Sequence, residues 1–222
     1  MSQKSTISPE GLRIPLEMSL AEMGQDELLS QFAMGLIPTA LQHIAATFPL
    51  STALYQETSA LYPLWTVLLA LDAELEGVVE GTSRLFPLPG FFSYRASLTP
   101  DKISPRTLRL PPLNPGGHFI LSPIASDSHL SPNGRTPADG HLAVRLDLEP
   151  TSQILGHVRL AVSRPDRFPF RLRTIEHRLD RQVLTEAIVS VAVAEGQAKI
   201  SPPLTTAEVE GLVQTLLALR VG

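Results

Sequence analysis

The hydrophobic spacing of this chain changes period twice. It runs from helical to two-residue spacing in the first half, and from two-residue back to helical in the second. A proline- and glycine-rich stretch at residues 111–117 lies between the two halves. Helices and strands that come in separate runs point to α+β architecture, not to a parallel sheet with alternating crossovers. The expectation is therefore two lobes, each a small antiparallel sheet packed with helices.

In the first half, residues 1–13 read as a loose lead-in. Asp26 to Ala33 reads as a short helix stopped by Gly35. A second helix has Pro38 in its first turn and Leu41, Ile44 and Ala45 on one face, and ends at Phe48-Pro49. A third runs from Ser59 or Tyr62 to about Leu71. Ala73 to Val79 and Arg84 to Leu88 then form a hairpin about Glu80–Ser83, Phe91-Phe92 anchors a turn of helix, and Ile103 to Leu110 is a strand ended by Pro111-Pro112.

Beyond the linker, His118 to Ile124, His141 to Leu148 and Ile154 to Val162 read as a three-stranded sheet. Ala125 to Asp139, rich in Ser, Pro, Asn, Asp and Gly, reads as a loop. Helices follow at Arg171 to Leu179, Leu184 to Glu195 and Thr205 to Arg220. Thr205 and Glu208 have the spacing of a capping box, and Leu212, Leu216 and Leu219 make an apolar stripe.

Composition narrows the chemistry. With no cysteine among 222 residues, disulfides, thiolate zinc sites, cysteine-ligated iron–sulfur clusters and a cysteine nucleophile are excluded. A net charge of -4 argues against general nucleic-acid affinity. Leu64 to Leu71 is too short to span a bilayer, and the polar N-terminus shows no signal peptide, so the expected location is the cytoplasm, with no membrane contact. Of 18 cationic residues only Lys4, Lys102 and Lys199 are lysine.

No glycine-rich nucleotide loop, G-x-S-x-G elbow or H-E-x-x-H pair is present. The six histidines, at 43, 118, 129, 141, 157 and 177, include no i,i+4 pair. Gly116-Gly117 reads as a hinge. Asp72, Glu74 and Glu76 share a strand face that either binds a cation or is simply solvated. Arg159, Arg164, Arg167, Arg171, Arg173, Arg178 and Arg181, interleaved with Asp166, Glu176 and Asp180, form either an anion or docking site or an ordinary charged helix entrance. The residues alone assign no catalytic, cofactor-binding or metal-binding side chain.

A series of local phrases carries more. Gly11-Leu12-Arg13-Ile14 and Met18 to Met23, Leu68 to Glu76 (LLALDAELE), Arg84 to Phe92 (RLFPLPGFF), Leu98-Thr99-Pro100 and Ile103 to Pro111 fall in order. Leu142 to Leu148, Gly156 to Ala161, Pro169 to Leu179 and Ala207 to Leu219 continue the series. The series resembles the FAD-binding medium subunit of molybdenum hydroxylases, as in xanthine dehydrogenase and carbon monoxide dehydrogenase. The resemblance covers about residues 11–222. It implies that residues 1–112 are a remnant of the second FAD-binding subdomain and that 118–222 are the family's C-terminal domain. It also implies partners that carry the molybdenum cofactor and iron–sulfur clusters; self-association is left open.

This sequence departs from the family where FAD is gripped. The resemblance begins after the family's first glycine-rich subdomain. The second phosphate loop, a threonine-isoleucine-glycine-glycine-asparagine run in the family, falls at Phe48 to Tyr62, which reads FPLSTALYQETSALY. No cofactor residue carries over, and this chain alone is expected to bind no FAD. The expected function is a non-catalytic or degenerate flavoprotein-like subunit of a molybdenum hydroxylase complex. One alternative is an FAD-binding electron-transfer subunit completed by a partner chain. The other is an unrelated α+β binding module.

Overall fold

The computed structural model describes residues 4–45, 49, 59–79, 81–88, 103–124, 140–164, 167–201 and 203–220. The chain is α+β and divides into two compact units, Met1–Leu113 and Asn114–Gly222, each with an antiparallel sheet and helices. The Phe91-Phe92 turn, the Glu80 corner and the Ala125–Asp139 loop expected from sequence lie outside the described residues.

In the first unit the sheet is five-stranded. It comprises β1 (Thr6–Ser8), β2 (Gly11–Pro15), β3 (Glu74–Val79), β4 (Thr82–Pro87) and β5 (Ile103–Leu110), in the order β1-β2-β5-β3-β4. The lead-in expected over 1–13 is thus corrected: Thr6–Ser8 is a strand, and a second begins at Gly11. Leu12 and Ile14 are fully buried, while Arg13 points away with Arg109 and Glu74 as its row neighbours. Gly11 makes the pairing geometrically possible. Its φ is +120°, and a Cβ there would fall 1.9 Å from the Leu110 carbonyl oxygen.

Helix α1 (Leu20–Gln25) was not expected from the sequence, although Ser19 and Glu22 form a complete capping box at its start. The helix expected over Asp26–Ala33 is shorter. It is α2 (Glu27–Gln31), followed by a tight turn, Phe32–Gly35, in which Ala33, Met34 and Gly35 all have positive φ. That left-handed turn ends α2 before α3 (Leu36–Ala45) begins. Helix α4 (Tyr62–Ala70) is buried along its whole length from Pro63 to Ala70, as its all-round apolar sequence requires. A bulge between Glu76 and Gly77 shifts the β3–β5 register, which is why the two-residue alternation breaks down before Val78.

The second unit carries four strands, not three. They are β6 (Gly117–Ile124), β7 (Gly140–Leu148), β8 (Leu155–Arg164) and β9 (Arg167–Arg171), each antiparallel to the next. Arg171, expected to open a helix, instead closes β9, and α5 starts at Arg173 (Arg173–Leu179). Helices α6 (Glu186–Gln197) and α7 (Thr206–Ala218) follow. Leu142, Val144, Leu146, Leu160 and Val162 share one core with Ile175, Val189, Val193, Leu212 and Leu216. Thr205 and Glu208 cap α7 reciprocally, as their spacing predicts.

Candidate functional site

The arginines at 159–181 do not converge on one site. Arg164 on β8 grips Glu208 of α7 through two hydrogen bonds of 2.6 and 2.7 Å and donates a third to the Pro203 carbonyl. Arg167 on β9 donates to the Ser201 carbonyl and stacks over Phe170, 4.4 Å from the ring centroid. Arg171 pairs with Glu176 of α5, and the Leu160 backbone N–H donates to the same carboxylate at 2.8 Å. Arg178 meets Glu195 at 3.0 Å on an exposed surface, and Arg173 and Arg181 are exposed. Arg159 donates to the Val158 carbonyl. Glu176 and Glu208, both buried, need these partners, since a buried carboxylate left unpaired is strongly destabilising. Arg164 and Arg171 therefore fasten sheet to helices, and Arg167 fastens β9 to the α6–α7 connection. Asp166 lies outside the described residues.

The acidic strand face also resolves into structure. Glu74 pairs with Arg109 across β3–β5, and the Ser83 hydroxyl donates to Glu76 at 3.3 Å. Asp72 is not on the strand; it sits in the preceding turn with positive φ. Among the described residues no group of three His, Asp or Glu side chains could hold a metal ion. No described helix is long and apolar enough to cross a membrane.

A polar cleft of about 380 Å³ is lined by Lys4, Ser5, Glu22, Gln25, Asp26, Glu27 and Leu28. Sequence reasoning did not single it out. Its signal was the N-cap residue types, Ser19 and Asp26, ahead of two apolar runs. Burial pushes the Asp26 pKa up. The Ser5 hydroxyl, the Ser5 N–H and the N–H groups of Leu29 and Leu28 all donate to the carboxylate, and together they hold it below its ordinary value. Glu22 is likewise committed to its cap, accepting from the Ser19 N–H and hydroxyl. These two carboxylates fasten β1 and two helix starts; they do not converge on a ligand.

No family model and no curated protein matches the chain. Solved structures do match. A chain of carbon monoxide dehydrogenase from Hydrogenophaga pseudoflava, lacking the Mo-pyranopterin moiety of the molybdenum cofactor, superimposes with a TM-score of 0.67 at 15% identity. The match covers 96% of this chain and 74% of that one. The fold is shared with carbon monoxide dehydrogenase. A chain of the reconstituted enzyme from Oligotropha carboxidovorans gives 0.64 at 12% identity, covering 99% and 76%. Quinoline 2-oxidoreductase from Pseudomonas putida 86 gives 0.61 at 11%, covering 97% and 74%.

The sequence resemblance puts a flavin pyrophosphate loop at Phe48 to Tyr62. Most of that stretch lies outside the described residues; its end leads into α4 through the turn Ser59–Leu61. A phosphate cradle needs unencumbered backbone N–H groups. Here Pro63, which has no N–H, stands in the first turn of α4, no side chain caps the helix, and Leu61 and Leu64 are fully buried. The chain has no glycine between Gly35 and Gly77. A glycine-loop grip on a pyrophosphate would therefore find no glycine amide between residues 36 and 76.

Proposed function

We propose that this chain is a subunit of a molybdenum hydroxylase type oxidoreductase complex, and that it keeps the scaffold of a flavoprotein subunit without itself gripping the flavin. The observation that carries the reading is the combination of a shared fold over 96% of the chain with a 36–76 stretch that contains no glycine. Backbone amides flanked by side chains cannot approach a doubly charged phosphate pair as glycine amides do. What the fold then supplies is shape: two α+β units whose outer surfaces can seat on the subunits that carry the molybdenum cofactor and the iron–sulfur clusters.

Purification of the tagged chain from its native cells tests this. The expected result is stoichiometric co-elution with a molybdenum-containing and an iron–sulfur subunit, both metals being detected by mass spectrometry. Elution without either metal contradicts the reading and favours an unrelated binding module.

A further inference from the structure

Asp147 joins two segments that are far apart in sequence. It lies near the end of β7, with Gly117 of β6 and Gly156 of β8 directly opposite it on the neighbouring strands. Neither neighbour has a side chain; on the Gly117 side the Phe119 ring lies over the glycine, 2.9 Å from where a Cβ would stand. From one side Asn114 donates its side-chain amide to Oδ2. Asn114 is the first residue of the second unit, and its carbonyl accepts from the Gly117 N–H at 3.0 Å, closing the turn by which the chain enters β6. From the other side His157 places Nδ1 2.7 Å from the same Oδ2.

His157 reaches that position at a cost. The β7–β8 register shifts between Arg145 and Asp147, and His157 stands in the resulting bulge with φ +47°. A left-handed residue other than glycine persists only where its surroundings hold it. The His157 side chain is 63% exposed, and the Asp147 carboxylate is the polar partner its ring reaches. A bulge and two glycines of the second unit's sheet thus surround one shared oxygen.

We propose that Asp147 is a positioning residue that couples the entry turn Asn114–Gly117 to the exposed His157 bulge. The turn is a strap, closed while the carboxylate accepts from both sides, and whatever engages the His157 ring acts on the strap through Oδ2.

Backbone 15N relaxation on the full chain tests this with the variants Asp147→Asn, Asn114→Ala and His157→Gly. The glycine keeps the left-handed backbone and removes the ring. In Asp147→Asn and Asn114→Ala, order parameters at Gly116 and Gly117 are expected to fall from about 0.85 to below about 0.6, with Val144 and Leu160 unchanged. His157→Gly is expected to lower Gly116 and Gly117 by a smaller amount. Asn114 is exposed, so its variant remains informative should Asp147→Asn fail to fold. Unchanged values at Gly116 and Gly117 in Asn114→Ala, or no response there to His157→Gly, overturn the coupling. So does loosening that spreads equally to Val144 and Leu160.

Discussion

Asp26 shows how much one polar side chain does in this molecule. It ends α1, caps α2 through the Leu28 and Leu29 N–H groups, and ties down Ser5 ahead of β1. Its folded pKa is depressed, so its ionised form contributes stability above the unfolded value of about 3.9. That contribution is lost as pH falls through the folded value. Replacing Asp26 by Ala should cost about 0.5–2 kcal/mol at pH 7. The gap between wild type and variant in urea melts should narrow below about pH 4. A gap that stays constant down to pH 2 would show that the carboxylate charge contributes nothing. Gly196 makes a second prediction at this scale. A Cβ there would sit 2.2 Å from Ile175 Cγ1, where α6 crosses α5, and Ile175 is fully buried. Gly196→Ala should lower stability by about 1–3 kcal/mol through overpacking, read as a fall in thermal midpoint.

Among the elements, α7 was legible because two independent signals agree: the Thr205–Glu208 box and the Leu212–Leu216–Leu219 stripe. Leu216 is fully buried. Leu216→Ala should therefore cost about 2–5 kcal/mol in denaturant melts. A loss under about 0.5 kcal/mol would mean that the helix does not pack as described. The strands β7 and β8 were legible from alternation. Strands β1, β2 and β9 were not. β1 is three residues long. β2 depends on Gly11 lying against Leu110, about a hundred residues away. β9, Arg-Phe-Pro-Phe-Arg, shows alternation only once its arginines are known to reach α5 and the α6–α7 connection. For β2 the deciding partner is remote in sequence, so no local window contains it; β1 and β9 pair with neighbouring strands but are too short for alternation to mark them. The left-handed turn at Ala33–Gly35 is a different failure. Only Gly35 announces it, while Ala33 and Met34 are held there by the helices on either side.

For the whole molecule, the arginine-rich segment is the clearest case of a chemistry that sequence left undecided. Spacing could not say whether seven arginines face a ligand or nearby carboxylates; pairing with Glu176 and Glu208 shows that two of them are internal fastenings, and a third pairs with Glu195 at the surface. The fold itself was foreseen from the switch in hydrophobic period and from the ordered phrases resembling molybdenum hydroxylase flavoproteins, and the solved structures share it at 10–15% identity. At that distance the scaffold persists because burial pattern and turn geometry are enough to specify it, while a glycine phosphate loop needs glycines, and none lies between Gly35 and Gly77. The central claim is that this chain keeps the scaffold without the flavin grip. Isothermal titration of FAD into the purified full chain, with flavin fluorescence followed in parallel, tests it most directly. No saturable heat and unquenched free-flavin fluorescence are expected at FAD concentrations well above about 1 µM. A one-to-one complex with a Kd of about 1 µM or tighter, roughly -8 kcal/mol, would contradict it and restore an electron-carrying role to this chain.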